Sequence, residues 1–168
     1  MDNPHSNPIG LVVNPPRAAR RGAGRRVVDP FRHSRYPAGV FTSEAVTRGI
    51  RVRVESSYVP ERSEPDQASW FFIYTVEVAN LGTDTAQLVS RHWIITDADG
   101  TEREVRGPGV VGEQPVLKPG ESFTYTSACP LGTPFGTMHG TYQMVTNSGE
   151  RFDAEIAPFS LGEPHAIN

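Results

Sequence analysis

At 168 residues, with a formal net charge of −3, one cysteine, 16 glycines and 15 prolines, the chain has room for one domain with its own core and not for two ordinary ones. The lone Cys129 excludes an intrachain disulfide and a multi-cysteine metal site, and no apolar run approaches the roughly 20 residues that span a bilayer as a helix. Glycine and proline at this density suit short strands and many turns, and a single thiol is compatible with a reducing cytoplasm.

Charge is divided unevenly. Residues 1–40 hold seven arginines (Arg17, Arg20, Arg21, Arg25, Arg26, Arg32 and Arg35) against Asp2 and Asp29, whereas residues 41–168 hold nine Lys or Arg against seventeen Asp or Glu, a net −8. The first segment carries six prolines and no sustained period, so it is expected to be a disordered basic tail. Arg20-Arg21 and Arg25-Arg26 lack the following apolar segment that a twin-arginine export signal needs. Their charge would attract nucleic acid only weakly and without sequence information, since few aromatics accompany it.

In the acidic part, Ile50, Val52 and Val54 alternate with Arg51, Arg53 and Glu55, the period of a half-buried strand. Glu61–Ser69 reads as a loop. Trp70–Asn80 is aromatic and β-branched, a central strand, and Ala86–Asp97 is another. Asp99-Gly100 signals a two-residue hairpin into Thr101–Arg106. Phe123–Ser127 and Thr137–Thr146 follow as strands, with Met138, Tyr142 and Met144 on one face, and Arg151–Ile156 closes the series. Pro130–Gly136 reads as broken. The expectation is an all-β fold of about seven strands and no helix, arranged as a two-sheet antiparallel β-sandwich, because alternating strands must bury one face against another layer.

The chain also resembles the ApaG family. The resemblance rests on Tyr74-Thr75-Val76, Asn80-Leu81-Gly82, Gln87-Leu88, Arg91-x-Trp93-x-Ile95-Thr96 and Glu104-Val105-x-Gly107-x-Gly109-Val110-Val111-Gly112-x-Gln114-Pro115. Pro119-Gly120-Glu121, Tyr125-Thr126-Ser127 and Thr133-Pro134-x-Gly136-Thr137-Met138-x-Gly140-x-Tyr142-x-Met144 complete it, over residues 44–162 or so. It implies a fibronectin type III-like or immunoglobulin-like sandwich, and an association with cobalt and magnesium tolerance and with diadenosine tetraphosphate metabolism. No catalytic set comes with it. Two features depart from the pattern: the 40-residue tail, and Ala128-Cys129-Pro130 where a glycine-led stretch is more usual.

Gly107, Gly109 and Gly112 have the spacing G-x-G-x-x-G. In dinucleotide folds that spacing opens a helix whose N-terminus holds a pyrophosphate. Here Pro115 and Pro119 leave no room for a helix. Two readings remain, a shaped inter-strand loop or an anion-binding nest of backbone N–H groups. The nest would use Arg106, Gly107, Gly109, Gly112 and Lys118. Asp97-Ala98-Asp99-Gly100 fails as a calcium loop, because Glu102 and Pro108 stand where that loop needs glycine and glutamate.

His92 and His139 are a metal pair only if their strands meet, and no metal site or cofactor is expected from them alone. Cys129 could be a nucleophile with His139 as its base, but a cysteine before proline near a strand end is more often a packing residue, and no third, orienting residue is identifiable. Trp70, Phe71 and Phe72 cannot all share one face, so either at least one faces outward or lies under a loop, a candidate partner surface, or all three pack with both sheet faces partly covered. The sequence therefore points to a cytoplasmic, non-catalytic module that binds an unidentified protein partner. The alternative is a binder of pyrophosphate or a dinucleoside polyphosphate through residues 106–118, and open sheet edges would permit a homodimer.

Overall fold

The computed structural model of the chain describes residues 39–164. The basic tail expected over residues 1–40 lies outside them, apart from Gly39 and Val40, and Val40 opens the first strand.

Among the described residues nine strands follow in order: β1 (Val40–Thr47), β2 (Ile50–Tyr58), β3 (Trp70–Asn80), β4 (Ala86–Asp97), β5 (Glu102–Pro108), β6 (Val116–Leu117), β7 (Ser122–Leu131), β8 (Phe135–Thr146) and β9 (Arg151–Gly162). They form two antiparallel sheets, β1-β2-β3-β7 and β5-β4-β8-β9, with the short β6 paired to β4 beside β5. The two-sheet antiparallel sandwich expected from strand periodicity is present. The two additional strands are edge pieces: β1 contains no buried residue and β6 is two residues long, so neither leaves a periodic apolar signature. The loop expected at 61–69 contains two 3-10 turns, Pro60–Arg62 and Pro65–Gln67, each opened by its proline. The expected two-residue hairpin at Asp99-Gly100 is a longer loop. Asp97 N–H reaches Thr101 O, and Gly100 takes a φ of +82°.

β7 runs through Pro130, and β9 through Pro158, where the sequence suggested breaks or ends. Both prolines sit on outer strands of their sheets, where a missing N–H costs no ladder bond. Pro158 lies at a bulge, since Met138 pairs with Phe159 while Gly140 pairs with Ile156.

The core lies between the sheets. Val52, Val54, Phe72, Val76 and Val78 of the first sheet meet Leu88, Trp93, Ile95, Met138, Tyr142, Met144, Ile156 and Leu161 of the second. Each large apolar side chain buried this way contributes roughly 1.5–3 kcal/mol. Met138, Tyr142 and Met144 do share the inward face.

The two flanks of the sandwich differ. On one, the outer strands β1 and β9 are stitched together. Ser43 Oγ donates to Ala157 O (2.9 Å), Glu155 N–H donates to Thr47 Oγ1 (3.0 Å), and Ser56 Oγ of β2 donates to Ser160 O (2.6 Å). On the other, β5 and β7 face each other without pairing, bridged near one end by Arg103 Nη2 donating to Pro130 O (2.9 Å). That open flank holds the site.

Candidate functional site: an arginine cleft between β5 and β7

A bulge in β4 creates the site. Leu88 pairs with Met144 of β8, but the next pair is Ser90 with Gln143, so Val89 is an extra residue. Before it, Ala86 and Leu88 point into the core; after it, the inward positions are Arg91, Trp93 and Ile95. Without the extra residue Arg91 would face solvent. Val89 O accepts from Gly109 N–H and from Gln114 Nε2 (both 2.8 Å), so the glycine-rich loop is anchored to the bulge that aims Arg91.

Arg91 is directly opposite Gly107 of β5. A Cβ on Gly107 would lie 3.0 Å from Arg91 Nη2 and 3.1 Å from Nη1, so the bare glycine leaves room for the guanidinium. Nη1 donates to Pro108 O (2.9 Å) and Gly109 O (2.8 Å). An arginine has five N–H donors. The Nε and Nη2 donors of Arg91 take no acceptor among the described residues, no carboxylate pairs with it there, and neither atom is sealed from solvent.

The loop beyond Gly107 has a defined shape. Val110 N–H donates to Glu113 O (2.8 Å) and Glu113 N–H to Val110 O (2.9 Å). The central residues Val111 and Gly112 have φ of +45° and +80°, the pattern of a type I′ turn. Gly109, at φ +56°, has no space for a side chain, because a Cβ would come within 2.1 Å of Glu113 O. A valine at positive φ is strained, and Val111 holds it while packing against the core edge.

These parts enclose a cleft of about 240 Å³. Its apolar lining includes Trp93, Ile95, Val105, Val110, Val111 and Met138; its polar lining is Arg91, Tyr74, Tyr125 and Ser127. Tyr125 and Tyr142 hydroxyls hydrogen-bond each other in the core. Burial is the largest cause raising both phenols, and Tyr74 is pushed up to about 12 by burial, against a hydrogen bond from Ser127 and the Arg91 charge. Cys129 also lines the cleft, and burial pushes its thiol up to about 11 despite Arg103 nearby.

The residues expected to form an anion nest are divided by this geometry. Gly112 lines the cleft, Gly107 makes room within it, and Gly109 fixes the loop. The Gly109 and Val110 N–H groups are already bonded to Val89 O and Glu113 O. Arg106 points to the outer face of its sheet, exposed, with Nη2 3.3 Å from Glu104 Oε2. Lys118 is exposed in the turn before β7, where its own N–H donates to Glu121 Oε2.

His92 and His139 lie on adjacent strands, opposite Thr141 and Ile94 respectively. His92 Nε2 is 2.9 Å from Glu104 Oε2, and a hydrogen bond from His92 holds that carboxyl below its usual range. Among the described residues no three His, Cys, Asp or Glu side chains gather as a metal site. Of the three adjacent aromatics, Phe72 is fully buried, Phe71 is half-buried beneath the Arg62 guanidinium (4.0 Å to the ring centroid), and Trp70 Nε1 donates to Glu163 Oε2 (3.2 Å). They form no open apolar face. No helix among the described residues is long and apolar enough to cross a membrane.

The ApaG domain family model matches residues 60–146, a stretch that contains every residue lining the cleft. The chain belongs to the ApaG family. It is 60% identical over 122 residues to Protein ApaG of Methylobacterium sp. (strain 4-46), covering 73% of this chain and 94% of that protein. It is 58% identical over 119 residues to Protein ApaG of Beijerinckia indica, covering 71% and 92%. Among solved structures, a Bordetella pertussis protein described as ApaA superposes with a TM-score of 0.67 at 54% identity, over 68% of this chain and 94% of that one.

Arg91 was visible in the sequence as part of the family pattern, but its role was not. The usable signal is a change of parity: the apolar positions Ala86 and Leu88 are even and Trp93 and Ile95 odd, which demands a bulge between them. Ile94 obscures it, being apolar and only half-buried on the opposite face.

Proposed function

We propose that this ApaG-family chain is a non-catalytic binding module, and that its β5–β7 cleft holds an apolar group bearing one negative charge, presented by a protein partner. The observation that carries this reading is Arg91: a guanidinium with Nε and Nη2 donors uncommitted among the described residues, set at the end of an apolar-walled cleft. Arginine without a carboxylate in such a setting favours a planar anion, which its fork can bind through two parallel hydrogen bonds.

The chemistry of the lining supports binding rather than turnover. It contains no Asp, Glu, His or Lys. Its Tyr74, Tyr125 and Cys129 are all pushed up by burial, away from the range in which a general acid or base works at neutral pH. The cleft is also smaller than the roughly 300–1,000 Å³ usual for a whole small-molecule ligand, which suits one group of a larger partner. The single thiol fits a cytoplasmic setting.

Pyrophosphate or a dinucleoside polyphosphate is the second reading. It is favoured by Val111 and Gly112, which line the cleft together with Arg91 and whose N–H groups take no acceptor among the described residues. Against it stands the net −8 of residues 41–168, which repels polyanions. An NMR titration separates the two. N-acetyl-leucine should give saturable shifts at Arg91 Nε–H, Gly107 and Gly112, and an Arg91→Lys variant should weaken them about tenfold or more. Pyrophosphate should win instead if the second reading holds, with shifts at Val111 and Gly112 that survive Arg91→Lys. If neither probe moves these resonances, the cleft is not a binding site.

A further inference from the structure

β7 ends its sheet, and its outer edge forms one rim of the cleft. Which of its backbone groups face outward follows from Pro130. Proline has no N–H, and Pro130 stands opposite Phe71, whose carbonyl is taken on the other side by Val59 N–H (2.9 Å). Pro130 and Phe71 are therefore a non-hydrogen-bonded pair, and Pro130 O points outward, where Arg103 reaches it. By the two-residue alternation of an antiparallel ladder, Ala128, Thr126 and Thr124 also turn their N–H and C=O groups outward. No described residue bonds them. A β7 edge several residues long thus lies unpaired next to an uncommitted guanidinium.

We infer that this edge and the Arg91 cleft together receive the C-terminal end of an extended polypeptide. Its backbone adds as a strand along Thr124–Ala128, its last side chain fills the cleft, and its terminal carboxylate meets Arg91. The inference rests on the cleft reading above and names the occupant. Two observations select a chain end. A terminal residue carries a carboxylate and a side chain on one Cα, matching a cleft with one guanidinium, partly exposed apolar walls of Val105 and Val111, and the buried Trp93, Ile95 and Met138 behind them. At about 240 Å³ the cleft is below the roughly 300–1,000 Å³ of a whole-ligand site and on the scale of a single terminal residue. Strand addition to a free edge and capture of a C-terminal carboxylate are both general modes of peptide recognition.

The test uses the full chain, ¹⁵N-labelled, with N-acetylated hexapeptides of alternating Thr and Val ending in Leu, Ile, Val or Phe, each as free acid and as C-terminal amide. N-acetyl-leucine serves as a control for the cleft alone. At least one free-acid peptide should shift the Thr124, Thr126 and Ala128 amides and the Arg91 Nε–H together, and slow exchange of those three amides. Its amide twin should bind at least tenfold more weakly, and Arg91→Gln, which removes the charge, should remove the difference between acid and amide.

If N-acetyl-leucine moves Arg91 but no peptide moves the β7 amides, the strand-addition inference is overturned while the cleft reading stands. Equal binding of acid and amide overturns the carboxylate assignment. Silence from both probes overturns the cleft reading and this inference with it.

Discussion

Arg91 of β4 and Gly107 of β5 are cross-strand partners, and the guanidinium of the first occupies the space where the second would carry a side chain. The glycine therefore acts through the arginine. Gly107→Ala should push the guanidinium off its position or off its rotamer, at about 0.5–1.5 kcal/mol. The fold should survive, with a small fall in urea midpoint, while response to the carboxylate probe drops tenfold or more. A Gly107→Ala protein that binds the probe as well as wild type would show that the pairing does not position Arg91.

Gly109 is a different case, because its neighbour is backbone. A Cβ there would meet Glu113 O at 2.1 Å, and φ is +56°. Neither the carbonyl nor the dihedral can yield cheaply. Gly109→Ala should cost more than about 1 kcal/mol, and it should disturb the Val110–Glu113 pair first. Faster amide exchange at Val110 and Glu113 is the expected local signature. If Gly109→Ala leaves stability at the wild-type level, the loop has an alternative shape.

The difference between these two glycines explains what the sequence could show. Strand periodicity exposed the sandwich because each sheet has one buried face, and Ile50-Val52-Val54 or Met138-Tyr142-Met144 print that alternation directly. The chain turns at Leu81-Gly82 after β3, and buried Asn80 explains it: its Nδ2 donates to Asp84 O and Leu117 O while its Oδ1 accepts from Gly82 N–H. Bulges are where periodicity fails. The Val89 bulge moved Arg91 inward and the Ala157-Pro158 bulge moved Phe159 inward, each by reversing the parity of its strand. The nearby charges that sequence proximity suggested, Arg106 and Lys118, are exposed and do not line the cleft, whereas Arg91, about fifteen residues upstream, arrives by strand pairing.

Tyr125 and Tyr142 bring two buried hydroxyls together from opposite sheets. Changing either to Phe leaves the other hydroxyl in the core without its partner, at about 1–3 kcal/mol. The double Phe variant removes both polar atoms, so its cost should fall below the sum of the singles by about 0.5 kcal/mol or more. Urea unfolding of the four proteins measures the coupling. Strict additivity would indicate that each hydroxyl has another partner.

Alkaline pH should unfold the domain through the same groups. Burial raises Tyr74 to about 12 and Cys129 to about 11, and holds Tyr125 and Tyr142 well above the ordinary phenol range. Each is an acid whose folded pKa exceeds its unfolded value, so the unfolded chain loses protons first as pH rises. The stability contribution is whole below the unfolded values, about 8.5 for the thiol and 10 for the phenols. It then falls as pH climbs toward the folded values. Urea midpoints should be level from pH 7 to about 8 and decline between about pH 9 and 12.

Thiol labelling provides an independent reading. With Cys129 raised to about 11, only ~0.1% is thiolate at about pH 8. Alkylation of the native protein should therefore be slow and should accelerate sharply with urea unfolding. Rapid labelling at neutral pH under native conditions, or a phenolate absorbance from Tyr125 at pH 10 without loss of structure, would contradict the burial of these two groups at the inner side of the cleft.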